Sequence, residues 1–318
     1  MKEFVKSGNI IVNKPEGCDY ELENGKVYTL KFKPYDEVIY LETDNDWSIP
    51  KKVYNTEDDN KFINRVCNYF SNTNKQNTGV LLSGLKGSGK TLTSKLICKQ
   101  INLPIIVVDP TFPAHKLTDF FSKFNQSTVV LMDEIEKNPR AWSTDVLLSF
   151  LDGIRSTSKK LVIMTCNEDK NISQYMIDRC SRIRYYRQFD GISYNTIVDI
   201  CRDYFTDKAT KVIADFIDTQ FKVKSYDNII SFIEEIYDYF KEYQDKDILD
   251  FTCSDNNMSA EDVMLDVISN MNISIKNDKF NRRARKIDAT ETSDTRTNNV
   301  VDSEPTEDEV WETVKCPC

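Results

Sequence analysis

Residues 84–91 read GLKGSGKT, and this glycine-rich motif constrains the fold more than any other feature of the chain. An apolar run, residues 79–82, precedes the motif, and a stretch compatible with a helix begins at Leu92. A strand, a glycine-rich loop and a helix in this order place backbone N–H groups around a phosphate. Lys90 would reach the β and γ phosphates of a nucleotide, and the hydroxyl of Thr91 would bind Mg²⁺. The motif therefore predicts a nucleotide-phosphate site.

The composition limits the classes of protein that need to be considered. With 318 residues, of which 40% are hydrophobic, the chain can bury the cores of two or three domains. A net charge of −9 disfavours broad, non-specific adhesion to nucleic acid. The nine cysteines form no CxxC pair and only one histidine is present, which argues against zinc and against a disulfide framework. No apolar run approaches the roughly 20 residues of a membrane helix, so the expected location is cytoplasmic, in an infected host cell if the chain is viral.

The hydrophobic periodicity changes along the chain and divides it into four parts. Residues 1–48 read as a small β-rich unit with a hairpin turn at Asn24 and Gly25. Residues 49–190 begin with a helix and then alternate apolar runs with helical stretches, which predicts a parallel sheet covered by helices. Residues 191–275 have helical spacing throughout and predict a helical lid, and residues 276–318 predict a disordered tail, basic and then acidic. The apolar runs after the phosphate loop are residues 105–108, 129–132, 161–165 and 183–186.

Two of these apolar runs end in polar residues that suit phosphate chemistry. Asp133 and Glu134 follow residues 129–132; Asp133 would hold Mg²⁺ through its water shell, and Glu134 would polarise the attacking water. Taken alone, the pair would be a solvated acidic turn, but its position about 40 residues after Lys90, at the end of an apolar strand, favours the site. Asn167 follows the next run and could bond both a phosphate oxygen and the water.

Taken together, these motifs resemble those of an AAA+ ATPase. GLKGSGKT resembles Walker A, VVLMDE at residues 129–134 resembles Walker B, and TCN at residues 165–167 resembles sensor 1. The pair Arg179 and Arg182 resembles the arginines of the second region of homology in the AAA subgroup proper. The short connection at residues 109–116 and the LDG segment ending at Ser156 are similar to the mitochondrial AAA translocase of folded iron–sulfur protein and its bacterial and viral relatives.

The resemblance implies an α/β P-loop AAA+ core with a five-stranded parallel sheet, the cofactors ATP and Mg²⁺, and a ring of identical subunits, a homohexamer. Catalysis would then use Lys90, Glu134 and Asn167 of one subunit and Arg179 and Arg182 of its neighbour. Thr91 and Asp133 would hold the metal. The residues expected to bind the nucleotide are Gly84, Leu85, Lys86, Gly87, Ser88, Gly89, Lys90, Thr91, Leu92 and Asp133.

Two departures from the family pattern bear on the client. The connection at residues 109–116 has no aromatic-hydrophobic-Gly triplet, and Phe112 is its one aromatic residue that could face a central pore. The lid helix at residues 226–229 begins without the arginine that clamp-loader relatives carry. We therefore expect an ATPase that remodels an unidentified protein or complex. The alternatives are an ATPase of the clamp-loader or helicase-loader type, with nucleic acid as partner, and a nucleotide-gated scaffold with little turnover.

Overall fold

The structure, a computed structural model, describes ten segments of the chain. They are residues 4–7, 10–13, 21–44, 47–74, 77–137, 143–153, 158–167, 182–241, 260–271 and 273–276. Every element described below lies in one compact unit, Met1–Ile275, and Lys276–Cys318 is a second unit. Apart from Lys276, the predicted disordered tail falls outside the described residues. In the ten segments, no helix has the length and apolar character needed to cross a membrane.

The described strands form a single mixed sheet, ordered β1-β2-β4-β3-β6-β7-β8-β5-β9. Their bounds are β1 Phe4–Ser7, β2 Ile10–Asn13, β3 Val27–Lys33, β4 Val38–Asp44, β5 Asn77–Gly84, β6 Ile105–Val108, β7 Thr128–Met132, β8 Lys160–Cys166 and β9 Ile183–Phe189. Five neighbouring strands of this sheet, β6, β7, β8, β5 and β9, are parallel to one another. This is the five-stranded parallel sheet expected from the sequence, and the α/β fold class is confirmed. The last strand is longer than expected, because it pairs with β5 as far as Phe189.

Helices cover both faces of the parallel strands. The helices are α1 Glu57–Asn72, α2 Lys90–Ile101, α3 Leu117–Lys123, α4 Thr144–Gly153, α5 Tyr194–Cys201, α6 Asp207–Gln220, α7 Tyr226–Lys241 and α8 Ala260–Asn270. Alternate residues of each strand face opposite sides. Val80 packs in a core with α1 and α2, whereas Leu81 packs in a second core with α3 and α4. Both strand faces are buried, which explains why these strands read as continuous apolar runs.

The strands of residues 1–48 continue the main sheet and do not form a sheet of their own. Val27 to Leu30 of β3 pair in parallel with β6, and β3 then turns back into β4. Leu30 and Leu41 are fully buried in the same core as α3 and α4. The period-two pattern identified strands here, but it did not identify their partners. The backbone edge of β6 supplies the partner of β3, and β4 and β2 then pair in turn beyond β3. The bounds of the four predicted parts of the chain remain predictions.

The turn at Asn24 and Gly25 does not join two paired strands among the described residues. Gly25 has the left-handed φ of +73° that such a turn requires, but residues 21–23 are not a strand. The backbone N–H and C=O of Leu22 both bond the side chain of Gln126, and the N–H of Gly25 bonds Leu103 O. The hairpin lies one element later, where residues 34–37 join β3 to β4.

The helices after β9 have an apolar core of their own. Ile197 of α5, Ile213 of α6 and Ile233 of α7 are fully buried in one cluster, to which Met264 of α8 also belongs. The rings of Phe221 and Phe232 meet edge-on at 5.1 Å within it. These helices are the helical part that the change of period predicted, and we call them the lid.

Phe112 does not face a pore, and this expectation was wrong. Its side chain is only 1% exposed and packs edge-on against Phe32, with ring centroids 6.4 Å apart. The reason is the added strand β3, which brings Phe32 over the connection after β6. Burial of the aromatic ring in this core removes more apolar surface from water than an exposed position would.

Candidate nucleotide site

The phosphate loop, residues 84–91, lies at the carboxyl end of β5. Its three glycines have left-handed φ angles, namely +123° at Gly84, +71° at Gly87 and +100° at Gly89. A Cβ atom at Gly84 would lie 2.2 Å from Phe189 O, so no side chain fits there. Gly89 is the residue before α2 and offers no capping side chain, so the first N–H groups of the helix face the loop. This is the N–H cradle that suits an anion.

Lys90 is buried within its own loop. Its ammonium donates to Gly84 O at 2.8 Å and to Leu85 O at 2.6 Å, and the residue is 5% exposed. Burial lowers the pKa of Lys90, an effect that nearby carboxylates, Glu136 first among them, oppose. These carbonyls therefore hold a cation where a phosphate would need it. A bound phosphate would replace weaker neutral acceptors with charged ones.

The structure brings together the residues proposed to hold a metal. Thr91 Oγ1 lies 3.3 Å from Asp133 Oδ1. The hydroxyl of Thr165 donates to the same carboxylate and accepts the backbone N–H of Glu134 at 2.8 Å. A hydroxyl and a carboxylate are hard oxygen ligands of the kind that Mg²⁺ prefers. Thr91 and Asp133 thus fit the cation, and Thr165 fixes the carboxylate beside them.

Glu134 extends into the same site from the end of β7. Its backbone has a φ of +50°, which is uncommon for a non-glycine residue. Its carboxylate forms an ion pair with Lys137 and accepts a hydrogen bond from Asn167 Nδ2 at 3.0 Å. The bond from Lys137 lowers the pKa of Glu134, and the bond from Asn167 adds to this effect. Glu134 is therefore a carboxylate at neutral pH, as a general base must be.

Asn167 bonds a second carboxylate that the sequence motifs did not single out. Glu136 Oε1 accepts the backbone N–H of Asn167 at 3.1 Å and its Nδ2 at 2.5 Å. Glu136 and Lys137 lie in a short 3-10 turn, Ile135–Lys137, directly after Glu134. Their closeness in sequence to Asp133 was the available signal, but the pattern did not show which side chain turns inward.

The first turn of lid helix α7 rests on the phosphate loop. The N–H of Tyr226 donates to Gly87 O at 2.8 Å. A Cβ at Gly87 would lie 3.0 Å from Asp227 Oδ2, and one at Gly89 would lie 3.3 Å from the Tyr226 ring. An acidic residue therefore stands beside the loop in this first turn of α7, which contains no arginine.

The segment before α1, residues 47–56, forms a strap across the lid and α2. Lys52 and the hydroxyl of Tyr54 both bond the carboxylate of Asp203, and Lys52 is the main cause of the lowered pKa of Asp203. The hydroxyl of Tyr226 donates to Tyr54 O at 2.9 Å, and burial raises the pKa of Tyr226 to about 12. The strap thereby connects the phosphate loop with the end of α5.

Two cavities meet at this contact. The smaller, about 440 Å³, is lined by Lys90, Thr91, Glu134 and Asn167. The larger, about 680 Å³, lies between the start of α1 and residues 187–193. Both cavities are lined by Tyr54, Gly89, Leu92 and Tyr226. The smaller cavity thus collects three of the predicted catalytic side chains, those of Lys90, Glu134 and Asn167.

Of the predicted arginine pair, the structure describes one member, Arg182. Arg182, just before β9, forms an ion pair with Asp152 at the end of α4. Arg179 lies outside the described residues. The role of both arginines in a neighbouring subunit therefore stays a prediction.

Comparisons with known proteins find a family model and solved structures that resemble this chain. Residues 80–188 match the family model described as "ATPase family associated with various cellular activities (AAA)". A point mutant of Thermotoga maritima RuvB is 14% identical, with a TM-score of 0.50, over 69% of this chain and 70% of that chain. The AAA domain of FIGL-1, solved in complex with ADP, is 15% identical, with a TM-score of 0.46, over 76% and 92% of the two chains.

A comparison with curated proteins finds none that matches this chain. At 14% identity, the likeness to RuvB concerns the fold alone, and it agrees with the parallel order of β5 to β9. The matched segment runs from the strand before the phosphate loop to the strand after Arg182. The similarity to the AAA family therefore extends over residues 80–188.

Proposed function

We propose that this chain hydrolyses ATP to ADP and phosphate and uses the energy to remodel a protein or complex. The observation that carries the proposal is the convergence of Lys90, Glu134 and Asn167 on one cavity, beside the Thr91–Asp133 pair. These groups come from the ends of β5, β7 and β8. Ligands bind at this edge of parallel sheets in α/β proteins.

Each group has a step in the reaction. The loop N–H groups and Lys90 would bind the β and γ phosphates, which places the γ-phosphate toward Glu134. Glu134 would accept the proton of the attacking water, and Asn167 would orient that water or a phosphate oxygen. Mg²⁺ held by Thr91 and Asp133 would neutralise charge on the phosphates. Apolar side chains of Val53, Leu92 and Ile230 line the same cavity and would contact the adenine ring of ATP.

The proposed assembly is a ring, a homohexamer, in which Arg179 and Arg182 stabilise charge on the γ-phosphate of the adjacent subunit. Support for it is the resemblance of residues 178–182 to the paired arginines of the AAA subgroup. The ion pair of Arg182 with Asp152 is compatible with this role, because an exposed carboxylate can exchange its partner at small cost.

Phosphate release by the purified chain, with ATP and Mg²⁺, tests the proposal. We expect the turnover per chain to rise with protein concentration, since the arginines act between subunits. We also expect a protein client to stimulate it. Stimulation by DNA but by no protein fraction would favour a loader-type machine. ATP binding without turnover at any protein concentration would favour a nucleotide-gated scaffold, and either result would contradict the proposal.

Replacing Asp227 with asparagine is expected to tighten ATP binding about fivefold. The carboxylate lies beside the loop that receives the triphosphate, and two like charges about 4 Å apart repel by a few kcal/mol at an effective dielectric constant of about 20. Solvent and movement of the lid reduce this figure. Titration with a fluorescent ATP analogue measures the change, which should shrink at high salt. Asp238→Asn, an exposed position on the same helix, is the matched control. Weaker binding by Asp227→Asn alone would show that the carboxylate assists the site.

A further inference from the structure

Glu136 has an arrangement that its neighbours Asp133 and Glu134 lack. One of its oxygens, Oε1, accepts two N–H bonds from a single residue, the backbone and the side chain of Asn167. Two bonds to one acceptor fix both the chain direction after β8 and the torsion of the carboxamide. Because an ionised carboxylate only accepts hydrogen bonds, the amide nitrogen must face it, and this sets the orientation of the carboxamide.

Glu134 holds the same carboxamide less firmly. Its carboxylate is divided between Lys137 and one hydrogen of Asn167 Nδ2. The other Nδ2 hydrogen belongs to Glu136, so both side-chain donors of Asn167 are occupied. For Asn167 to donate to a water molecule or a phosphate oxygen, its bond with Glu134 must open. The two bonds to Glu136 would then keep the carboxamide in place while one donor is released.

The second oxygen of Glu136 argues against a role in stability. Oε2 is buried and has no hydrogen-bond partner among the described residues. A buried carboxylate oxygen without a partner costs free energy of folding. A smaller residue would avoid this cost, and a glutamine would replace the unpaired charged oxygen with an unpaired neutral NH2 group. The side chain is therefore explained by what its acceptor oxygen Oε1 does for Asn167.

We propose that Glu136 is a positioning residue of the proposed ATPase, which holds the carboxamide of Asn167 in line for the reaction while Glu134 turns to the attacking water. The inference rests on the proposed function, because Asn167 has a role only if a γ-phosphate is cleaved. Glu136 itself does not touch the reacting atoms. Its two hydrogen bonds reach the reaction through Asn167.

Glu136→Ala and Glu136→Gln separate this role from a structural one. We expect Glu136→Ala to lower kcat about tenfold or more while KM and the affinity for a fluorescent ATP analogue stay within about threefold. Glu136→Gln keeps an acceptor oxygen for both N–H bonds and should retain kcat within about threefold. The Tm of Glu136→Gln should stay close to that of the unaltered chain. Glu235→Ala, on the exposed face of α7, is the control.

Two outcomes would overturn the inference while the proposed function stands. In the first, Glu136→Gln loses as much kcat as Glu136→Ala, which would mean that the charge of the carboxylate is what matters. In the second, Glu136→Ala has a normal kcat. A double-mutant cycle adds an independent measure, because Glu136→Ala should cost no further turnover in a chain that already carries Asn167→Ala. If the losses of turnover from the two single variants multiply in the double variant, Glu136 acts without Asn167. Absence of turnover in the unaltered chain would instead refute the proposed function, and this inference with it.

Discussion

Replacement of Lys90 by alanine is expected to weaken nucleotide binding at least about 50-fold. The ammonium is the one charged donor within the phosphate loop that points at its own backbone carbonyls, Gly84 O and Leu85 O. A charge-assisted hydrogen bond to phosphate contributes about 1.5–3 kcal/mol, which is roughly 10- to 150-fold in affinity. The ammonium lies in a buried position, where its charge is poorly screened, so the upper part of this range applies.

Titration with a fluorescent ATP analogue in the presence of Mg²⁺ measures this loss directly. Lys99→Ala is the matched control, because it removes the same side chain from the last, exposed turn of α2. Lys90→Arg keeps the charge but brings a planar group that is too large for the space between the loop carbonyls, so it should restore little binding. If Lys90→Ala binds within about threefold of the unaltered chain, the nucleotide does not lie on this loop.

The sequence predicted the parts of the site that depend on strand order. Lys90, Asp133 and Asn167 follow three apolar runs, and the carboxyl ends of parallel strands meet at one edge of a sheet. Their closeness therefore follows from the fold class, and no detail of packing is needed. The five-stranded parallel core could be predicted for the same reason, because alternating strands and helices permit few other arrangements.

Contacts between distant segments could not be predicted in this way. The bond from Tyr226 to Gly87 O joins residues far apart in the chain, and so does the bond from Tyr54 to Asp203. Hydrophobic periodicity does not predict which surface of the lid contacts which loop. That contact depends on how the core of the lid packs against the core of the sheet after both have folded. The sheet partner of β3 was missed on similar grounds, since an alternating strand pairs with any exposed edge.

The charged partners of Asn167 and Glu134 were missed for a different reason. Glu136 and Lys137 stand next to the predicted motif, and charged residues in a turn are most often solvated. Only the structure shows that Glu136 turns toward Asn167 while Lys137 pairs with Glu134. The direction of a side chain in a short 3-10 turn depends on the backbone angles before it, here the left-handed φ of Glu134.

Glu134→Gln is expected to lower ATP turnover about 100-fold while ATP still binds. A positioned general base contributes about 10²–10⁴-fold, and glutamine has the same shape but cannot take the proton. The amide should keep the bond from Asn167 Nδ2 and the backbone bond to Thr165, so the site should stay folded. Removal of one negative charge near the γ-phosphate should leave the ATP affinity unchanged or raise it several-fold.

Single-turnover phosphate release, together with nucleotide titration, separates the two effects. Glu235→Gln on α7 makes the same chemical change on the exposed lid surface and is the control. The pH profile gives a second measure. Since the ion pair with Lys137 lowers the pKa of Glu134, its basic form persists below the usual carboxylate range. Turnover of the unaltered chain should therefore not fall between about pH 8 and pH 6 through protonation of Glu134. A decrease of less than about tenfold for Glu134→Gln would mean that another group accepts the proton.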